Sequence, residues 1–289
     1  MTTEPVFAVL MVLRIAGYAG FVLWAGPLVF WTLVWPAGHR HRRLLRLSGV
    51  GALLLIATTV AEPAIRLTVG DQPLDEVAPP LAGAAALVRL AILVGSLFYL
   101  VDLVGGAVVG RRRAVALAAI VVVAATVAVQ PIALGQPGPP LAALGTFGHL
   151  LAAAAWLGGL VALATVIRPG GDTGETGGLV TRFSPVATLG LVLLVLASGL
   201  TILAGTGVSA FADQREAPVL VLRFGLLAAL LVVAWYAHRA TARMAFRRLF
   251  SPLAVTGPAR ERTLTLVVGA QLAIAFVALS AAMLVALTA

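Results

Sequence analysis

Long apolar stretches separated by short polar punctuation dominate the chain, and the longest fall near 6–35, 47–69, 82–104, 114–134, 143–167, 185–206, 218–237 and 264–287. Each is long enough to cross a hydrocarbon core of roughly 30 Å, which takes about 20 helical residues. The runs are continuously rich in Ala and Leu and lack the alternation of a membrane strand, so they read as helices, whose backbone groups are satisfied within one segment. The pattern predicts an all-α polytopic membrane protein with eight transmembrane helices. The opening MTTEP has none of the basic residues of a cleavable signal, and the first run is too long for a signal core, so it is expected to remain as helix one.

Composition agrees on the solvent. With 61% hydrophobic and 11% charged residues and a mean hydropathy of +1.06, the chain has more apolar surface than one soluble core can hide. All basic residues are arginine, and fifteen of the twenty lie in alternate loops: Arg40, Arg42, Arg43 and Arg46, then Arg111 to Arg113, Arg168 and Arg182, and a last group from Arg239 to Arg262. The intervening loops hold only Arg215, and the first of them, VGDQPLDEVAPP, is acidic. By the positive-inside rule the arginine loops face the cytoplasm and both termini lie outside, in the plasma membrane. The net charge of +9 is then accounted for by anionic membrane lipids as partners, with no nucleic acid required. HRATARMAFRRLF in the last basic loop reads as an amphipathic segment on the inner surface. Absence of cysteine leaves Met and His as soft-metal donors.

The Gly/Pro-rich GQPGPP at 135–140 divides the runs four and four, giving an N-terminal half, 1–140, and a C-terminal half, 141–289. RLSGVGALLL at 46–55 matches RFSPVATLGL at 182–191, LVRLAILVG at 87–95 matches VLRFGLLAA at 221–229, and Trp24-Ala25-Gly26 falls on Trp156-Leu157-Gly158. The expected architecture is therefore a tandem, parallel duplication of a four-helix unit, with Arg89 opposite Arg223.

GHLLAAAAWLGG at 148–159 is the most informative stretch. At 100° per residue His149, Ala153, Trp156 and Leu160 share one face, and Gly148, Ala152, Ala155 and Gly159 the next. The small-residue stripe reads as a helix-packing surface, and Trp156 as a packing wedge or pocket wall. His149 is either a hydrogen-bonded histidine between helices or a metal ligand; its repeat counterpart is Gly17. Alternating helix direction brings Met11, Arg14, Glu62, Arg66, Arg89, Gln130, His149, Arg223 and Met283 to the outer third. Glu62, the one acid among them, is expected to pair with Arg14 or Arg89, while Arg66 either joins them or snorkels to headgroups. Among these residues His149, Met11 and Met283 carry the donors that suit Cu(I).

No phosphate-binding loop, nucleophile elbow or HExxH motif occurs, so no enzyme is expected. Asp102 and Tyr236-Ala-His238, near the inner ends of their helices, suit a cytoplasmic exit or a plain interfacial position. His39 and His41, in GHRHRR, read as solvated residues beside headgroups.

GHLLAAAAWLGGLVALA, RFSPVATLGLVLLVLASGLTILAG and VLVLRFGLLAALLVVAWYAHRATAR, which together cover about 148–243, resemble the CopD copper-resistance family. The resemblance implies copper transport across the inner membrane, with an extracellular or periplasmic copper-binding protein as a possible partner. Two other classes stay open. One is a haem-binding or electron-transfer protein, in which His149 would need Met11 or Met283 as the other axial ligand; the other is a non-transporting assembly partner of a copper enzyme.

Overall fold

A computed structural model describes residues 4–69, 73–102, 108–133, 140–166 and 173–205, together with positions 225 and 232. The helices are α1 (Glu4–Leu33), α2 (Arg42–Thr68), the short α3 (Leu74–Val77), α4 (Pro80–Asp102), α5 (Arg111–Ala128), the short α6 (Gln130–Ala133), α7 (Pro140–Ala153), α8 (Gly159–Val166) and α9 (Thr173–Gly205). A 3-10 turn, Pro36–Arg40, joins α1 to α2, and a π-helical segment, Ala154–Gly158, makes α7 and α8 one continuous rod.

Among the described residues five helices are long and apolar enough to cross a membrane: Ala8–Leu33, Arg42–Thr68, Pro80–Asp102, Pro140–Val166 and Gly178–Leu200. This corrects the expectation of eight spans in a duplicated bundle. The run at 114–134 fails because α5 starts with three arginines and ends before Gln130-Pro131. Only about 15 residues remain for the apolar part, ~22 Å at 1.5 Å per residue. Pro131 has no N–H to donate to the Val127 carbonyl, and Val129 separates α5 from α6. The predicted runs 218–237 and 264–287 lie, apart from positions 225 and 232, outside the described residues.

The duplication fails on register as well. The sequence match sets Gly51 opposite Ala187, yet the glycine that admits a neighbouring helix in α9 is Gly190, against Trp156. The π segment also has no counterpart in α1, which is α-helical from Glu4 to Leu33.

α1 is the central helix. Phe21, Trp24, Phe30 and Trp31 are wholly buried on it, and it touches α2, α5, the π segment and α8. It meets α2 where Gly20 and Gly51 bring the backbones together: a Cβ on Gly20 would stand 2.9 Å from the Leu55 amide, and one on Gly51 would overlap Trp24 N. It meets the 140–166 rod at a reciprocal contact, where a Cβ on either Gly26 or Gly158 would run into the other's backbone. Small residues let helices approach this closely in lipid, where dispersion contacts replace the hydrophobic drive. Polar pins accompany the glycines. Trp24 Nε1 donates to Ser96 Oγ on α4 at 3.0 Å, and Ser48 Oγ on α2 donates to the Trp24 carbonyl at 2.9 Å. The outward face is apolar, with Phe98, Leu87 and Leu189 about 70% exposed, as a lipid-facing surface requires.

Basic segments collect at one end. Val108 N donates to the Pro36 carbonyl, Arg112 pairs with Asp102 at 3.0 Å, and Phe183, next to Arg182, packs on Phe30 near the end of α1. The opposite end carries α3, which holds Asp75 and Glu76 of the acidic loop.

Candidate functional site: a polar cavity at the acidic-loop end

The site begins with α5. The last carbonyls of a helix lack intrahelical donors; beyond Ala128 the Val129 N–H serves the Ala125 carbonyl, and the Thr126 carbonyl is met from another helix. Arg89, 5% exposed on α4, fills that role: Nη2 donates to the Thr126 carbonyl at 2.8 Å and Nε to Thr126 Oγ1 at 3.2 Å. The negative end of the helix dipole favours a cation there. The same Nη2 reaches Gln130 Oε1 at 3.0 Å, and Gln130 Nε2 donates to Glu62 Oε2 at 3.3 Å. Glu62 Oε1 takes Arg66 at 3.0 Å and faces Arg14 Nε at 3.6 Å.

Arg14, Glu62, Arg89 and Gln130 thus converge from α1, α2, α4 and α6. Glu62 meets Arg14 directly and Arg89 through the Gln130 amide. Arg66, one helical turn from Glu62, completes an i,i+4 pair that could have been read from the sequence. Thr126 and Tyr18 could not: nothing local marks Thr126 as the anchor of an arginine 37 positions away.

These side chains border two clefts. The first, about 80 Å³, lies between α1 and α2 and is lined by Arg14, Gly17, Tyr18, Thr58, Glu62, Arg89 and Gln130, with Phe21 and Leu55 at its apolar wall. The second, about 50 Å³, lies toward α3 and is lined by Pro63, Arg66, Val77 and Gly83. Thr59, Glu62, Arg89 and Gln130 belong to both, so the hydrogen-bonded row Arg89–Gln130–Glu62 is the partition between them.

The remaining expected site residues are elsewhere. His149 is exposed on α7, while Trp156 and Leu160 are 4% and 2% exposed. The shared face read from a 100° period is broken because the π segment inserts about one extra residue between them. Trp156 is a wedge: a Cβ on Gly190 would meet its Cβ at 3.1 Å. Gly148 faces Ala197 and Gly159 faces the Phe183 ring, so the small-residue stripe is a packing surface for α9. Met11, half-buried on α1, does not line the first cleft, and neither does His149. Arg223, Met283, Tyr236 and His238 lie outside the described residues. Asp102, expected near an exit, forms the surface ion pair with Arg112.

Among the described residues no three His, Cys, Asp or Glu side chains gather where they could hold a metal ion. No family model, curated protein or solved structure matches the chain. The geometry therefore defines a polytopic all-α membrane protein with a charged cavity built between its first, second and third spans.

Proposed function

We propose that the protein handles copper in the plasma membrane, receiving Cu(I) as cargo at His149 and passing it toward the basic-loop side, with those loops cytoplasmic. The observation that carries the reading is the isolation of this imidazole. Gly148, Trp156, Gly158 and Gly159 of the same stretch are all committed to helix contacts, whereas His149 is exposed and no described residue holds its ring by a hydrogen bond. A structural histidine between helices would be bonded, and no described residue bonds this one. Imidazole suits Cu(I), and the resemblance of 148–243 to the CopD family points to the same ion. The cleft between α1 and α2 is a poor alternative for a cation, since two guanidiniums, Arg14 and Arg89, line it beside one carboxylate, Glu62. Met11, on a helix that adjoins the 140–166 rod, is the described thioether that could join His149 as a ligand.

His149→Ala is expected to abolish copper uptake into sealed vesicles while leaving membrane insertion and folded yield at wild-type levels. Because only neutral imidazole ligates, uptake by the native protein should weaken as pH falls through the His149 pKa, and that dependence should vanish in the variant. A folded His149→Ala protein that still moves copper would end this reading.

Orientation is tested separately. The chain has no native cysteine, so Arg113→Cys, at an exposed position outside the Asp102 pair, reports one loop without background. A membrane-impermeant maleimide should label it only after the membrane is opened. Labelling in intact cells would invert the assignment.

A further inference from the structure

We propose that the cleft between α1 and α2 is an anion-binding site, taking one phosphate- or carboxylate-type group from the acidic-loop side. The inference does not depend on copper.

The argument is a census of donors and acceptors. Arg14 presents a guanidinium, half exposed, that faces Glu62 at 3.6 Å without forming a hydrogen bond. Tyr18 lines the same cleft, and no described residue bonds its hydroxyl. Arg89 spends Nε and Nη2 on Thr126 and Gln130, and no described residue bonds its Nη1. The carboxylate oxygens each already take one donor, and the threonine protons are spent. Glu62 Oε1 takes Arg66 and Oε2 takes Gln130, while Thr58 and Thr59 turn their hydroxyl protons to the Leu55 carbonyl. A guanidinium has five donors and no acceptor, so the cleft is donor-rich and carries more positive than negative charge. In low dielectric such an imbalance is costly until an anion meets it.

Size agrees with this. A water needs roughly 10–15 Å³ of such space, so about 80 Å³ holds several waters or one tetrahedral or planar anion. Arg14 is the entry residue: its contact with Glu62 is the longest in the row and its side chain is 47% exposed. It can turn to a ligand while Arg66 keeps Glu62 paired. A phospholipid headgroup and a free anion share this chemistry.

The test uses the full-length protein in nanodiscs of phosphatidylcholine, titrated with inorganic phosphate against potassium chloride at equal ionic strength. A parallel set of discs contains phosphatidylglycerol. The unfolding midpoint should rise with phosphate, with phosphatidylglycerol, or with both. Phosphate alone would identify a soluble anion, and phosphatidylglycerol alone a headgroup. Arg14→Gln should weaken the response about tenfold, the loss expected for one charge-assisted contact; Tyr18→Phe, which keeps every charge, should weaken it about threefold. Arg182→Gln, exposed at the far end, should respond as wild type. The proposal is overturned if neither anion source shifts the midpoint, or if Tyr18→Phe and Arg14→Gln both respond as the native protein does.

Discussion

Gly158→Val is expected to remove nearly all correctly folded protein from the membrane. At this position the 140–166 rod rests on α1 backbone against backbone: an added Cβ would stand 2.6 Å from Gly26 Cα and 2.8 Å from the Val22 carbonyl oxygen. No flexible side chain is there to move aside. Overpacking a core costs about 1–3 kcal/mol when neighbours can shift; here two helices must separate, so the loss should reach at least the upper end of that range. The separation would also disturb the neighbouring contacts of Trp156 with Gly190 and of Gly159 with the Phe183 ring. Gly95→Ala is the control. Its Cβ would meet nothing within 4 Å, and replacing glycine inside a helix gains up to about 1 kcal/mol. Folded yield by size-exclusion chromatography should therefore fall sharply for Gly158→Val and stay level or rise for Gly95→Ala. Equal yields for the two variants would show that the glycine contact does not hold the helices together.

Glu62→Leu should have the second largest effect. This carboxylate, 13% exposed, is the one anion shared by Arg14, Arg66 and Gln130. Removing it leaves Arg66, only 16% exposed, and the Arg89 row without their counter-charge. Breaking a buried pair from one side costs about 3–5 kcal/mol. The half-exposed Arg14 can recover some hydration, so about 3 kcal/mol is expected here, read as a lowered unfolding midpoint in detergent. Glu62→Gln, which keeps the acceptor oxygen and loses the charge, should fall between the two. If Glu62→Leu melts with the native protein, the network is an incidental surface pairing.

The class of the molecule was legible without tertiary information because lipid imposes one strong constraint. Uninterrupted apolar runs near 20 residues leave a helix as the only way to satisfy the backbone, and five such helices overlap the runs, with ends shifted by up to seven residues. Charge was legible at the same level, since Arg14, Glu62, Arg89 and Gln130 sit at comparable depths in their runs and do meet. The packing role of Gly148 and Gly159 followed from spacing alone.

What could not be read locally has a common cause: each depends on a neighbour remote in sequence. The run after Arg113 is apolar enough to suggest a span, yet its end is occupied by Arg89 of another helix, and Gln130-Pro131 turns it away. The repeated words in the two halves reflect shared residue types: Trp24 and Trp156 fall at matched positions, but the glycines that pack on them, Gly51 and Gly190, do not. His149 and Trp156 share a face only in an ideal α-helix. The π segment between them turns Trp156 inward with Gly158 against Gly26 and leaves His149 outside.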